Sequence, residues 1–173
     1  MRTVTFFVLG ILWNSAIDAQ TINTDIFIKN IDLLYESAAK SFKEIKLEQS
    51  GNTDDGDVKY HSSRKISGAS DVYIKADAEN SFTYIAHFES KDLKTAQLHV
   101  EDMAVMILEM VSEKGLVRGS STEMNYEGYR KQTVEFASDN IDIMGKYPSF
   151  SIGILKGKTP VTIELVVNEP LWK

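Results

Sequence analysis

The sequence predicts an α+β domain, in which an antiparallel sheet of about six to seven strands carries two helices packed on one face. Two observations lead to this fold class. Apolar residues step by three or four along two segments, which is the spacing of one face of a helix, and they alternate with polar residues along several others, which is the spacing of a strand. The order of these segments is helix, three strands, helix, four strands. A sheet with one apolar face needs helices to cover that face, so the elements are expected to form two layers.

The first helix is predicted to run from Asp25 to Ile45, with Thr24 as its N-cap. Its apolar face is formed by Phe27, Ile31, Leu34, Ala38, Phe42 and Ile45. The next segment, Gln49 to Asp57, has no apolar side chain and is rich in turn-forming residues. We therefore expect an exposed loop there.

Three strands with alternating patterns follow this loop, and the connections between them are short enough for hairpins. They are predicted at Val58–Ile66, Asp71–Ala76 and Phe82–Glu89.

The second helix is predicted from Lys91 to Lys114, with Ser90 as its N-cap and Gly115 just beyond its end. Its run from Met103 to Leu108 is apolar all the way round, which indicates burial on more than one side. This run either forms the centre of the monomer core or uses one side to close a homodimer or a partner groove.

Four more strands complete the chain, so that it resembles two rounds of one helix followed by a meander. They are predicted at Val117–Tyr126, Tyr129–Phe136, Phe150–Leu155 and Val161–Val167. No repeat of individual residues accompanies the two rounds. One turn is expected at Asn125–Gly128 and another at Lys156–Pro160.

Residues 1–19 are predicted to be a cleaved signal peptide, and residues 20–173 a single α+β domain. An apolar run from Thr3 to Trp13 follows Arg2, and small and polar residues then lead to Ala19 as the cleavage site. The apolar run is shorter than the ~20 residues that cross a bilayer, so no stable membrane span is expected. A buried N-terminal strand or helix is the alternative.

Composition fits a secreted or periplasmic protein and favours a bacterial one. The chain has no cysteine, which excludes thiol catalysis and thiolate metal sites, and it has no Asn-x-Ser/Thr acceptor. The net charge of −6 disfavours nucleic acid as a partner. No cofactor motif is present. We predict no metal site either, because the histidines lack ligand spacing and the Asn52–Asp57 loop does not match the calcium-loop pattern.

The candidates for catalysis are His87 and Glu89, which share one face of a predicted strand. Such a pair provides a base and an orienting acid for a small exported hydrolase or isomerase. The same pattern is typical of an exposed polar pair on the solvent side of a sheet. A location of His87 in a pocket, within reach of a carboxylate, would favour the enzyme.

The leading hypothesis is an exported, non-catalytic binding or interaction module for a protein, a peptide or a small apolar ligand. Tyrosine suits binding surfaces because it joins apolar area to a polar tip, and the apolar side of the second helix could contribute as well. The expected surface residues are Tyr60, Tyr73, Tyr84, Val105, Met106 and Leu108. A periplasmic assembly or transport chaperone is a further alternative, and it would need a contiguous exposed apolar patch.

Overall fold

A computed structural model of the protein describes residues 23–121, 130–140 and 142–172. Within these ranges it contains two α-helices, a short 3-10 helix and eight strands. The predicted signal peptide at 1–19 and the predicted turn at Asn125–Gly128 lie outside the described residues.

The elements follow the order of one helix and four strands, twice. The first round is α1 (Thr24–Ala38), β1 (Lys46–Asn52), β2 (Val58–Ser62), β3 (Asp71–Ala76) and β4 (Phe82–Ser90). The second round is α2 (Leu93–Ser112), β5 (Leu116–Ser121), β6 (Arg130–Ser138), the 3-10 helix (Met144–Lys146), β7 (Ser149–Leu155) and β8 (Val161–Asn168).

All eight strands join one antiparallel sheet in the order β1-β2-β3-β4-β8-β7-β6-β5. This order reads the same from both edges, because the last strand of each round lies in the centre and the first strand lies at an edge. The two central strands pair along their whole length, from Thr83 opposite Asn168 to Ser90 opposite Val161. The predicted α+β class with two helices and an antiparallel sheet is confirmed.

The sheet has eight strands, so the prediction of six to seven is too low. The additional strand is β1, whose second half occupies part of the segment predicted as a loop. From Leu47 to Asn52 every residue of β1 is exposed, because the strand lies at the edge of the sheet and contributes no buried side chain beyond Lys46. A strand without a buried face has no alternating pattern, and backbone pairing with β2 alone defines it.

The first helix is shorter than predicted and ends at Ala38. Ser41 and Phe42 both have a φ of 55°, in the left-handed region, and this turns the chain toward β1. The Phe42 amide donates to the carbonyl of Ser37 at 2.7 Å, and the Phe42 ring is fully buried. Phe42 and Ile45 therefore continue the apolar spacing as core residues of a turn.

The second helix begins two residues later than predicted. Its N-cap is Asp92, whose carboxylate accepts a hydrogen bond from the Thr95 amide at 2.7 Å, while Ser90 is the last residue of β4. The helix also ends earlier than predicted, at Ser112 with Glu113 as its C-cap, and Gly115, with a φ of 76°, lies in the turn that follows.

A single core cluster lies between the helices and one face of the sheet. Both helices contact the two central strands. The helix-facing side of the sheet includes Tyr84, Phe136, Phe150, Ile152 and Leu165, all nearly or fully buried. Neither helix of the described chain is long and apolar enough to cross a membrane.

Candidate functional site

The face of the sheet that turns away from the helices, here called the open face, carries a row of polar side chains. Tyr73 lies on β3, His87 on β4, Glu164 on β8 and Arg130 on β6. His87 and Glu164 are direct cross-strand partners. Cross-strand partners on one face lie about 4.5–5.5 Å apart, so their side chains can meet.

The row is connected by short polar contacts. His87 Nε2 lies 3.2 Å from Glu164 Oε2, and Arg130 Nε lies 3.5 Å from Glu164 Oε1. Arg130 also donates from Nη1 to Ser151 Oγ at 3.0 Å and from Nη2 to the Glu164 carbonyl at 3.1 Å. Glu164 and Arg130 are only 5% and 7% exposed, so both charges are withdrawn from water.

A bulge in β6 places Arg130 on the open face. Arg130 pairs with Leu155 and Val134 pairs with Ile152, so β6 has one residue more than β7 over this stretch. The irregularity includes Gln132, whose φ is 47°. An extra residue reverses the face that later side chains occupy, so Val134 enters the core while Arg130 remains outside it.

The strand between β6 and β8 leaves room for the arginine. Gly153 of β7 is the cross-strand partner of Glu164 and has no side chain on the open face. The Arg130 guanidinium therefore reaches across β7 to the carboxylate on β8.

Tyr73 lies at the other end of the row, next to His87. Its ring lies edge-on to the His87 ring at 5.8 Å, and Lys59 Nζ lies 4.1 Å from the Tyr73 ring centroid. Burial, with smaller contributions from the Glu164 and Asp71 carboxylates, raises the pKa of the Tyr73 phenol to about 12. The phenol is therefore neutral at physiological pH.

The acid that contacts His87 is Glu164 and not the predicted Glu89, which is exposed and pairs with Thr162. Residues two apart on one strand are about 6.5–7 Å apart, farther than cross-strand partners. Glu164 is the one charged residue of β8, so an isolated charge in an apolar strand is the sequence signal for it. Arg130 has no comparable local signal, because its position depends on the bulge.

An acidic groove of about 480 Å³ lies on the open face, where β4 begins and β8 ends. Three neighbouring strands supply a polar floor: Thr83 Oγ1 donates to Asn168 Oδ1 at 3.2 Å, and Asn168 Nδ2 donates to Ser149 Oγ at 3.2 Å. His87 is not among the residues that line this groove.

The charge of this groove is of one sign. Its lining includes the four acids Asp77, Glu79, Glu135 and Glu169, and no lysine, arginine or histidine among the described residues. Asp77 caps its own turn by accepting from the amides of Glu79 and Ser81, and Glu169 accepts from the Phe82 amide. Glu79 and Glu135 are exposed and form no ion pair within the described part of the chain.

A ridge, formed by residues 144–147 and 170–172, borders the acidic groove. Met144, Tyr147 and Leu171 of the ridge line this groove with exposed fractions of 42%, 38% and 75%. The Trp172 amide donates to the Gly145 carbonyl at 2.8 Å, which ties the two parts of the ridge together.

A basic groove of about 590 Å³ also adjoins the ridge, next to the turn that follows α1. Its charged lining residues are Lys40, Lys43, Lys146 and Glu44, and the ridge contributes Pro170 and Trp172. The two grooves share none of their lining residues.

The residues predicted to form a binding surface do not come together. Tyr84 is fully buried in the core, with its hydroxyl donating to the Arg64 carbonyl at 3.0 Å, so its prediction as a surface residue is wrong. Tyr60 is half-buried with its ring edge-on to Phe82, and Tyr73 belongs to the open face. The pleat of the sheet separates these tyrosines, because Tyr84 points to the helix side and Tyr73 to the other.

The predicted apolar side of α2 is divided in a similar way. Val105 is 58% exposed, whereas Met106 and Leu108 are half-buried against the core. Among the described residues there is also no group of three or more histidines and carboxylates arranged to hold a metal ion.

Comparisons of the chain with protein-family models, with curated proteins and with solved structures found no match. The geometry of the grooves and of the polar row is therefore the basis for assigning a function.

Proposed function

We propose that this protein is an exported, non-catalytic binding module that holds a basic peptide in the acidic groove. The observation that supports the proposal best is the uniform charge of that groove: four carboxylates and no basic side chain among its described lining residues. Export outside the cytoplasm rests on the predicted signal peptide at 1–19.

The free carboxylates of the groove suit a cationic ligand. Glu79 lies in the β3–β4 turn and Glu135 on β6, so they approach the groove from different sides. A lysine or arginine side chain of the ligand would form charge-assisted hydrogen bonds with them, which are about twice as strong as neutral ones. A field of one sign also speeds the encounter with an oppositely charged ligand.

The size and the remaining lining of the groove suit a peptide. Its volume of about 480 Å³ lies within the range of ~300–1,000 Å³ that is typical of ligand sites. The floor residues Thr83, Ser149 and Asn168 provide donors and acceptors for peptide amides, and the exposed Tyr147 and Leu171 provide apolar contacts for side chains.

The contact between His87 and Glu164 is the observation that favours the second candidate, a small exported hydrolase or isomerase. Two features favour the binding module instead. Glu164 is already engaged by Arg130, and His87 lines neither groove, so a substrate in either groove would lie away from the imidazole. The chaperone alternative lacks support on α2, where the charged Glu101 and Asp102 lie between the exposed Leu98 and Val105.

Calorimetric titration of the full chain with a blocked hexapeptide of alternating lysine and leucine tests the proposal. We expect saturable binding that weakens with salt, and no binding of the counterpart with glutamate in place of lysine. The double variant Glu79→Gln/Glu135→Gln should weaken binding about threefold or more, since both carboxylates are exposed and an exposed ion pair contributes up to about 1 kcal/mol.

The matched control is Glu48→Gln/Glu89→Gln, which removes two exposed carboxylates outside the groove and changes the net charge equally. It should change the affinity by less than about twofold, the effect of long-range charge alone. An equal loss in both double variants, or no binding of the lysine peptide, would refute the acidic groove as the site.

A further inference from the structure

We infer that the basic groove is a second binding site, which takes a small anion that carries a ring with an apolar face. This inference concerns different residues from those of the acidic groove and does not depend on the proposed peptide ligand.

The charge of the basic groove is opposite to that of the whole chain. The sequence has a net charge of −6, yet three lysines converge on this one groove. Lys40 is paired with Glu44 at 3.0 Å, whereas Lys43 and Lys146 form no ion pair within the described residues. Two ammonium groups are therefore available to an anion, and a local field of this sign attracts one despite the acidic chain.

Trp172 supplies a fixed aromatic surface in the same groove. A Cβ atom at Gly145 would lie only 2.8 Å from two atoms of the Trp172 ring, so the indole lies directly against the bare backbone of this glycine. The main chain of Trp172 is held at the same place by its hydrogen bond to Gly145. Trp172 is nevertheless 51% exposed, which leaves ring surface for a ligand. Flat apolar surface of this kind suits the face of a second ring.

The turn that carries Lys40 and Lys43 is also held in place. Ser41 and Phe42, between the two lysines, have left-handed φ angles of 55°, which side chains adopt rarely. The fully buried Phe42 ring and its amide bond to Ser37 hold this conformation. Positions held in such conformations are concentrated at functional sites, and a site that is already ordered loses less entropy on binding.

Two ammonium groups beside a fixed indole define the chemistry of the ligand: two or more negative charges on or beside a ring. Acidic saccharides and nucleotides share this chemistry. A sulfated disaccharide and a nucleoside monophosphate therefore serve as separate probes, with the unsulfated disaccharide and inorganic sulfate as controls for the ring alone and the charge alone.

Fluorescence of the full chain with Trp13→Phe provides the test, because the sequence has two tryptophans and Trp172 is then its single indole. At least one ring-bearing anion should change the Trp172 emission in a saturable way. The two control compounds should bind at least about tenfold more weakly, since each offers only one of the two interactions.

The double variant Lys43→Gln/Lys146→Gln should weaken binding about threefold or more, by the loss of two exposed charged donors. Its matched control, Lys29→Gln/Lys65→Gln, changes two exposed lysines outside the groove and should leave the affinity within about twofold. Calorimetry with Trp172→Leu checks the contribution of the indole independently of fluorescence.

Equal weakening by the two lysine variants, or no saturable change with either ring-bearing anion, would overturn the inference. The variant Glu79→Gln/Glu135→Gln separates the two sites, since it should leave this titration unchanged. Failure of the lysine peptide to bind the acidic groove would therefore leave the result for the basic groove intact, and the reverse holds equally.

Discussion

Glu164 and Arg130 are buried charges on the face of the sheet that has no helix against it. Withdrawing a charge from water costs several kcal/mol, and it is offset only where the partner groups satisfy that charge. Here the carboxylate has contacts with both His87 and Arg130, and the guanidinium also donates to Ser151 and to the Glu164 carbonyl. The stability of the folded protein therefore depends on both charges of the pair being present.

Arg130→Met should lower the free energy of unfolding by about 3–5 kcal/mol, because it removes the guanidinium that contacts the buried Glu164 carboxylate. Urea denaturation measures this loss. In the double variant Arg130→Met/Glu164→Gln the loss should be smaller than in the single variant, since neither charge of the buried pair then remains.

The matched control for this prediction is Arg118→Met. Arg118 forms a shorter contact with Glu101, at 2.7 Å, but the two side chains are 33% and 47% exposed. An exposed pair contributes less than about 1 kcal/mol, so the control should lose little. Similar losses in Arg130→Met and Arg118→Met would contradict the account of the polar row.

The sequence indicates some residues of the candidate site but not the contacts between them. His87 stands out on its strand, and Tyr73 and Ser151 fall on the open face once the strands are placed. The pairing of His87 with Glu164 joins two strands that are distant in sequence, and the reach of Arg130 depends on a bulge and on Gly153. No local pattern contains this information, which arises from the register of the whole sheet.

At the scale of elements, the start of α2 depends on Asp92. Its carboxylate accepts from the Thr95 amide, and this hydrogen bond holds the pKa of Asp92 below the ordinary 3.8. A depressed pKa in the folded protein adds stability above the unfolded-state value, and this stability is lost as pH falls through the folded-state pKa.

Asp92→Ala should lower Tm by about 2–4 °C at neutral pH, as the loss of one N-cap does in a domain of this size. The difference from the parent protein should shrink as pH falls below 3.8. The control Asp102→Ala removes an exposed acid from the middle of the same helix and should change Tm far less. Thermal denaturation followed by circular dichroism measures both, and equal shifts would refute the assignment of Asp92 as the cap.

Elements with a buried face are those that the sequence predicts well. In β4 and β8 every second side chain is apolar and packs on the helices, although Ile85 and Glu164 are buried on the other face as well. β1 is missed because almost all of it is exposed, and α1 is overestimated because Phe42 and Ile45 reach the core from a turn. The spacing of apolar residues indicates which residues are buried. It predicts a helix or a strand correctly only where the buried residues also have the backbone conformation of that element.

At the scale of the whole molecule, stability at high pH depends on phenols on both sides of the sheet. Burial raises the pKa of Tyr73, on the open face, to about 12, and burial also raises the pKa of Tyr84, in the core. A pKa raised in the folded state gives stability that is complete below the unfolded-state value of 10.0 and is lost as pH rises through the folded-state value.

The free energy of unfolding should therefore decrease between pH 10 and about 12. These limits are the pKa of the Tyr73 phenol in the unfolded and in the folded state. Tyr73→Phe keeps the ring and removes the ionisable hydroxyl, so its decrease over this range should be smaller. Denaturant titrations at a series of pH values measure the slopes, and phenolate absorbance reports the ionisation directly. Identical slopes for the two proteins would contradict the raised pKa of Tyr73.

The sequence predicts the two rounds of helix and meander, but not the order of the strands across the sheet. That order requires β8 to enter between β4 and β7, and these partners are set by packing over long separations in the chain. Both grooves depend on it, because the acidic groove joins strands of both rounds and the ridge combines the segment before β7 with the segment after β8.

The central position of β8 has a consequence for the order in which the protein is made. Synthesis proceeds from the N-terminus, so the first meander leaves the ribosome with β4 as an open edge, and β4 is rich in apolar residues. That edge remains a template for pairing with other chains until Val161–Asn168 has emerged and taken its place beside it. A chain interrupted before β8 would expose β4 and β7 together, so aggregation should begin at the middle of the finished sheet.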